Sequence, residues 1–305
     1  MSPFRDEDVP RGTPEDDTPI ARAAATAVQV QAGRAGALPR PSQTRVLTIA
    51  NQKGGVGKTT TAVNLAAALS LQGLRVLVLD LDPQANASTA LGIAHPRGTP
   101  SVYDVLVEGK ALTEVVQPVP DLTGMTVAPA TIDLAGAEIE LVPMVAREFR
   151  LRRALDTYLR EPHAPDFVLV DCPPSLGLLT LNGLVAAQGV IIPLQCEYFA
   201  LEGLADVLRT IDLVKGQANP VLQVDGIVLT MHAANNLAQQ VEDEVRKHFR
   251  REVFKTVIPR NVRLSESPSH GKPILLYDVA SKGCQSYLEL AREVVRRVDR
   301  IGKAA

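Results

Sequence analysis

Seven short stretches of the chain are apolar at nearly every position: Val46–Ala50, Arg75–Asp80, Met125–Ala128, Phe167–Asp171, Val190–Pro193, Val224–Thr230 and Val253–Ile258. Short runs without polar alternation, bounded by Gly or Pro, predict strands buried on both faces. Between them, apolar residues recur at helical spacing over Lys58–Leu71, Leu134–Leu159, Leu178–Ala187, Leu201–Lys215, Leu237–Phe249 and Gln285–Arg300. Strand and helix alternate. That pattern predicts an α/β fold, a doubly wound, mostly parallel sheet flanked by helices. Ligands of such sheets bind outside the carboxyl ends of the strands.

The alternation begins at Arg45 and shows neither an internal repeat nor a break, so residues 45–305 are read as a single domain. Residues 1–44 mix Pro, Gly, Arg, Asp and Glu with few large apolar side chains. They bury too little to offset ordering entropy and are read as a flexible tail. One Ala-rich island, Ile20 to Val30, has the composition of a short helix that would form on a partner.

Composition narrows the class. Of the 305 residues 46% are apolar but only 4% aromatic, with no Trp, so the core must come from Val, Leu, Ile and Ala. Cys172, Cys196 and Cys284 form no C-x-x-C pair, which argues against a disulfide framework or zinc site and fits a reducing cytosol. The five histidines share no metal-ligand spacing. No apolar run approaches the roughly 18 residues of a membrane span, and the N-terminus lacks the basic start and apolar stretch of a signal peptide. The net charge of −2 is uneven: residues 242–303 carry +5 and the remainder −7. A basic final portion on an acidic body suits either an anionic partner or solvated helix faces.

The chemistry lies after the apolar strands. Gln52-Lys53-Gly54-Gly55-Val56-Gly57-Lys58-Thr59-Thr60 follows the first of them. Gly54, Gly55 and Gly57 let successive backbone N–H groups converge on phosphate oxygens, at the positive end of the next helix. Lys58 suits the β- and γ-phosphates, the Thr59 hydroxyl a Mg²⁺ ion, and Thr60 a further phosphate bond. The common pattern G-x-x-x-x-G-K-[ST] is departed from at its first glycine, which is Gln52, and a second lysine, Lys53, stands at the mouth. The second strand ends Asp80-Leu81-Asp82-Pro83-Gln84. Beside a phosphate loop, Asp82 suits the attacking water and Asp80 the support of the Mg²⁺ shell; a helix cap or turn is the other use of the pair. The strand Phe167–Val170 ends in Asp171, the second metal-side carboxylate, reaching Mg²⁺ through water. Cys172 reads as a small buried filler, and Pro173-Pro174 as a rigid loop near the γ-phosphate.

These segments, together with Gln195-Cys196-Glu197-Tyr198-Phe199-Ala200-Leu201-Glu202-Gly203 and Ile258 to Glu266, closely resemble one family. It is that of the ParA/Soj ATPases of chromosome and plasmid partition, in the deviant P-loop NTPase group that includes MinD. The resemblance runs from about Arg45 to the end. Thr18-Pro19-Ile20 and Ala130 to Glu138 are similar to actinobacterial members.

The resemblance implies ATP/ADP and Mg²⁺ as cofactors. It implies that Lys53 reaches the partner's nucleotide across a two-fold interface, so that ATP joins two subunits. It implies Asp82 as the hydrolytic carboxylate and the loop Pro259–Asn261 as the adenine holder. It further implies an ATPase that is weak alone, bound without sequence preference to double-stranded DNA, nucleoid-associated in the cytoplasm, and stimulated by a ParB-like centromere-binding protein.

Lys247, Arg250, Arg251, Lys255, Arg260, Arg263 and Lys272 lie within about 25 residues, a density that suits salt-sensitive phosphate contacts. Of these, Arg250, Arg251, Arg260, Arg263 and Lys272 are the expected DNA contacts, Arg263 standing where the family has a DNA-binding arginine. A second family arginine, in a segment like T-M-Y-D-x-R-T-N-L, is missing from Thr230-Met231-His232-Ala233-Ala234-Asn235-Asn236-Leu237. The sequence admits two other readings. One is a MinD-like membrane switch using the final amphipathic helix, Tyr287 to Ile301, which is expected instead to cover the sheet. The other is a metabolic or cluster-loading ATPase, which the absence of C-x-x-C disfavours.

Overall fold

β1 (Arg45–Ile49) lies between β5 (Phe167–Asp171) and β6 (Gly189–Gln195), deep inside an eight-stranded sheet. The computed structural model describes residues 36–302; the Ala-rich island and most of the expected tail lie outside the described residues. The remaining strands are β2 (Val76–Asp80), β3 (Gln117–Pro118), β4 (Met125–Ala128), β7 (Gln223–His232) and β8 (Val253–Pro259). Their order is β3-β4-β2-β5-β1-β6-β7-β8. Every pairing is parallel except β3 with β4.

The double-sided burial read from the sequence has a direct cause. Successive side chains of one strand point to opposite faces. Leu47 and Ile49 pack with α1 (Lys58–Leu71) and the C-terminal helix, while Val46 and its neighbours Val168 and Val190 pack with the helices of the other face. α1 is itself buried on nearly all sides, which its run of Ala permits. The final helix, Lys282–Gly302, lies over β8 and α1, with Tyr287, Leu288, Ala291 and Val294 buried, as expected. Phe167 is fully buried at the start of β5; truncation to Ala there costs about 3–5 kcal/mol.

One expected helix is two. Leu134–Leu159 divides into Leu134–Leu141 and Arg150–Tyr158, joined by a bend and a short 3-10 turn over Arg147–Phe149. Pro143 is the cause: it lacks an N–H donor and its ring crowds the preceding turn. Ala146, at φ 52°, completes the reversal. The sequence reading also missed α2 (Asn86–Ala90), a short helix that proves important to the site.

Candidate nucleotide site

The loop after β1, the end of β2 and the end of β5 meet at one crevice, because these three strands are adjacent and parallel. Asp80 and Asp171 are directly opposite each other in the β2–β5 register, and Ile49 is opposite Asp171 in β1. The sequence-predicted phosphate loop and carboxylates are therefore brought together.

Within the loop, Gly55 (φ 76°) and Gly57 (φ 85°) adopt backbone conformations that favour glycine. Gly57 is the N-cap of α1, and its carbonyl accepts the first helical bond, from Thr61. The Thr230 hydroxyl donates to the Val56 carbonyl at 2.8 Å, and the Asn51 amide donates to the Pro193 carbonyl at 2.7 Å. These side chains pin the loop to β7 and β6. Lys58 is buried, its Nζ donating to the Lys53 carbonyl at 3.2 Å. Burial lowers its pKa, against the attraction of Asp171 and Asp82. Gly54, Lys58, Thr59, Thr60 and Asp82 line a cavity of about 540 Å³.

The carboxylates differ in their partners. Asp80 Oδ2 accepts from the Ser88 N–H at 2.9 Å and its hydroxyl at 2.7 Å; Oδ1 accepts from the Asp82 N–H at 3.1 Å. Both oxygens of Asp171 are buried with no hydrogen-bond partner among the described residues. Burial first, then the charge of Asp80, push Asp171 well above the usual carboxylate range; Thr59 and Lys58 offset this only in part. Asp82 Oδ1 accepts from the Gln84 N–H at 3.0 Å. An orphaned buried carboxylate beside a threonine hydroxyl is an all-oxygen donor set that fits Mg²⁺. Among the described residues no group of three or more His, Cys, Asp or Glu could hold a metal. A cation here would draw most ligands from water and phosphate, which is the habit of Mg²⁺.

A second cavity of about 470 Å³ shares Gly57, Thr60 and Met231 with the first and is walled by Ile258, Pro259, Asn261 and Tyr287. The predicted adenine loop thus stands beside the phosphate loop. Asn261 also caps a short helix, Val262–Glu266, by accepting from the Arg263 N–H at 2.9 Å.

Lys53 points away from the phosphate cradle. Its Nζ lies 2.6 Å from Glu197 Oε2, beyond β6, and both side chains are nearly half exposed. Next to Glu197 the aromatic pair Tyr198 and Phe199 is exposed, 80% and 65%.

The basic residues do not form one cluster. β8 separates Arg250 and Arg251, at its amino end, from Arg260, Arg263 and Lys272, beyond its carboxyl end; seven strand residues span roughly 23 Å. All five are exposed. Arg263 pairs with Glu266 at 2.9 Å and Asp278 at 3.5 Å, and Lys272 lies 3.9 Å from Asp121. Where the family's second arginine is missing, Asn235 caps a helix instead, accepting from the Ala238 N–H at 2.8 Å.

Reading the sequence missed Ser88, Asn51, Thr230 and the partner of Lys53. None belongs to a spacing pattern, since each acts through a contact made only by the fold.

A parallel sheet with a glycine-rich phosphate loop, two carboxylate-bearing strand ends and an adjoining second cavity defines a P-loop NTPase. An AAA domain family profile matches residues 44–224. The chain is 54% identical to the chromosome partitioning protein ParA of Myxococcus xanthus over 254 residues, 83% of this chain and 88% of that protein. It is 53% identical to the sporulation initiation inhibitor protein Soj of Bacillus subtilis over 251 residues, 82% and 98% of the two chains. A solved structure from Mycobacterium smegmatis, described as cobyrinic acid a,c-diamide synthase with a bound ATP analogue and magnesium, is 40% identical. It superposes with a TM-score of 0.72 over 84% of this chain and 96% of that one. The chain belongs to the ParA/Soj family.

Proposed function

We propose that this chain is a chromosome-partitioning ATPase that works as an ATP-timed dimer on DNA. The observation that carries the reading is the division of labour between two lysines. Lys58 is buried inside the phosphate loop, whereas Lys53 stands half-exposed outside it. A buried lysine suffices for the chain's own phosphates. A cation at the rim is placed for a nucleotide held by a second copy, and two-fold symmetry supplies the reciprocal contact.

In this reading Gly54–Thr60 cradle the phosphates and Pro259 and Asn261 border the adenine. Thr59 and Asp171 would hold Mg²⁺, the latter through water, and the ion would neutralise charge developing on the phosphates. Asp80 supports that shell indirectly, its oxygens being engaged by Ser88 and Asp82. Asp82 orients the attacking water. Arg260, Arg263 and Lys272 lie at the nucleotide end of the sheet, so two copies joined there bring both basic sets together, and avidity couples ATP to duplex DNA. A ParB-like partner then accelerates hydrolysis and release. The protein is accordingly cytoplasmic and nucleoid-associated; among the described residues no helix is long and apolar enough to cross a membrane.

The test is Asp82→Ala. It should keep ATP binding, stall single-turnover hydrolysis and leave a dimer that retards random duplex DNA at low salt. Hydrolysis at the wild-type rate would defeat the assignment of Asp82. Wild-type protein that ignores DNA in the presence of ATP would defeat the DNA reading.

A further inference from the structure

Ser88 lies on α2, fully buried, eight residues beyond Asp80. It makes three hydrogen bonds that phosphate binding does not require. Its N–H and hydroxyl both donate to Asp80 Oδ2, at 2.9 and 2.7 Å, and its Oγ accepts from the Ala130 N–H at 3.2 Å. The other oxygen of Asp80 accepts the Asp82 N–H at 3.1 Å. One continuous chain of contacts therefore runs from the end of β4, through Ser88 and Asp80, to the backbone of Asp82.

That backbone needs holding. Between Asp82 and α2 the chain turns through Ala85, a non-glycine residue at φ 52°, whose N–H donates to the Asp82 carbonyl at 2.8 Å. Such a conformation costs about 1–3 kcal/mol and persists only where its surroundings impose it. The Asp82 carboxylate is tied on one side by the Gln84 N–H, within the same turn. Its direction thus follows the turn, and the turn follows Asp80.

We propose that Ser88 is a positioning residue for ATP hydrolysis: it fixes the Asp80 carboxylate, which fixes the peptide carrying Asp82. The inference rests on Asp82 being the hydrolytic carboxylate. Ser88 is fully buried and does not line the phosphate cavity. A catalytic group displaced by about 1 Å can lose on the order of 100-fold in rate. The phosphate loop, in contrast, is held by Thr230 and Asn51, independently of Ser88. Loss of the hydroxyl should consequently separate turnover from binding.

The experiment compares wild type, Ser88→Ala, Ser88→Thr and Asp82→Ala by single-turnover hydrolysis, ATP affinity and thermal melting. Ser88→Ala should hydrolyse at least about 10-fold more slowly, with ATP affinity within about 2-fold of wild type. Ser88→Thr keeps the hydroxyl and should recover most of the rate. An Asp82→Ala protein that turns over normally sinks the reading of Asp82, whatever Ser88 does. An inactive Asp82→Ala beside a fully active Ser88→Ala overturns the role of Ser88 alone. So does a Ser88→Ala protein that loses affinity and rate in parallel, since that marks general structural damage. If Ser88→Ala does not fold, Ser88→Cys replaces it as a near-isostere with a weaker donor. The same split must then appear at smaller amplitude, and its absence overturns the proposal.

Discussion

The ammonium of Lys53 and the carboxylate of Glu197 lie 2.6 Å apart, joining the loop after β1 to the segment after β6. The lysine assigned to a partner's nucleotide is held within its own chain by an acid next to it. To cross to a second subunit it must leave Glu197. A pair this exposed is worth at most about 1 kcal/mol, so the hold is weak. Each of the two subunits gives up one such pair, so Glu197→Gln should let the ATP dimer form at protein concentrations up to about 30-fold lower, by sedimentation. Lys53→Ala should leave ATP binding by the monomer intact while dimerisation, hydrolysis and DNA retention fall together. A Glu197→Gln protein that dimerises less readily would instead make the acid an aid to the interface.

Asp171 supplies a pH-dependent prediction. Its carboxyl and that of Asp80 are raised, Asp80 to about 6, chiefly because burial disfavours the charged form. A raised carboxyl keeps its proton in the folded chain after the unfolded chain has lost it. Stability of the nucleotide-free protein should therefore fall as pH rises from about 4 through about 6 and beyond. Asp171→Asn removes one of these two buried carboxyls. Its melting temperature without nucleotide should rise at pH 8 and depend less on pH, while Mg²⁺ ceases to strengthen ATP binding. Melting curves across pH check the first, and titrations of ATP with and without Mg²⁺ the second. An unchanged melting temperature together with retained Mg²⁺ dependence would remove Asp171 from the metal site.

The sheet was legible because strands buried on both faces carry no polar alternation, and the phosphate loop because the backbone at Gly55 and Gly57 favours glycine. Asp80 and Asp171 could be placed at strand ends, and Asp82 just beyond one, from local sequence alone. What stayed hidden depends on contacts across long stretches of chain. Glu197 meets Lys53 from 144 residues away, and Thr230 meets Val56 from 174. Ser88 carries no motif, and its importance appears only once β4 brings Ala130 to its hydroxyl. Proximity in sequence also misled: Arg250 and Arg263 look like neighbours, but the strand between them carries them to opposite ends of the sheet. At Pro143 the helical apolar spacing continued through a residue whose ring breaks the helix.

The cysteines offer a check on the core. Cys172, Cys196 and Cys284 are all buried, and burial pushes their thiols up, Cys196 to about 11 and Cys284 to about 12, with Cys172 higher still. Thiolate is the reactive form, so it is scarce at pH 8. Native protein should resist iodoacetamide, with Cys196 the first to react, and urea-unfolded protein should take up three labels. Prompt, stoichiometric labelling of Cys172 in the native state would contradict its packing beneath the site.

The separation of the basic residues by β8 gives the sharpest test of the DNA reading. Arg263 is exposed at the nucleotide end but already paired with Glu266 and Asp278. Duplex phosphates must compete with these two carboxylates, and their high local charge density favours the exchange at low salt. Each arginine lost from a dimer removes one phosphate contact per subunit. Arg263→Ala should thus weaken retention of random duplex by the ATP-bound Asp82→Ala protein. It should also reduce the slope of log affinity against log salt by about 2. Arg250→Ala, at the far end of the strand, should leave both quantities near their starting values. Fluorescence anisotropy at several salt concentrations measures them directly. Equal losses from the two substitutions would mean that DNA lies along the whole edge of the sheet, not at its nucleotide end alone.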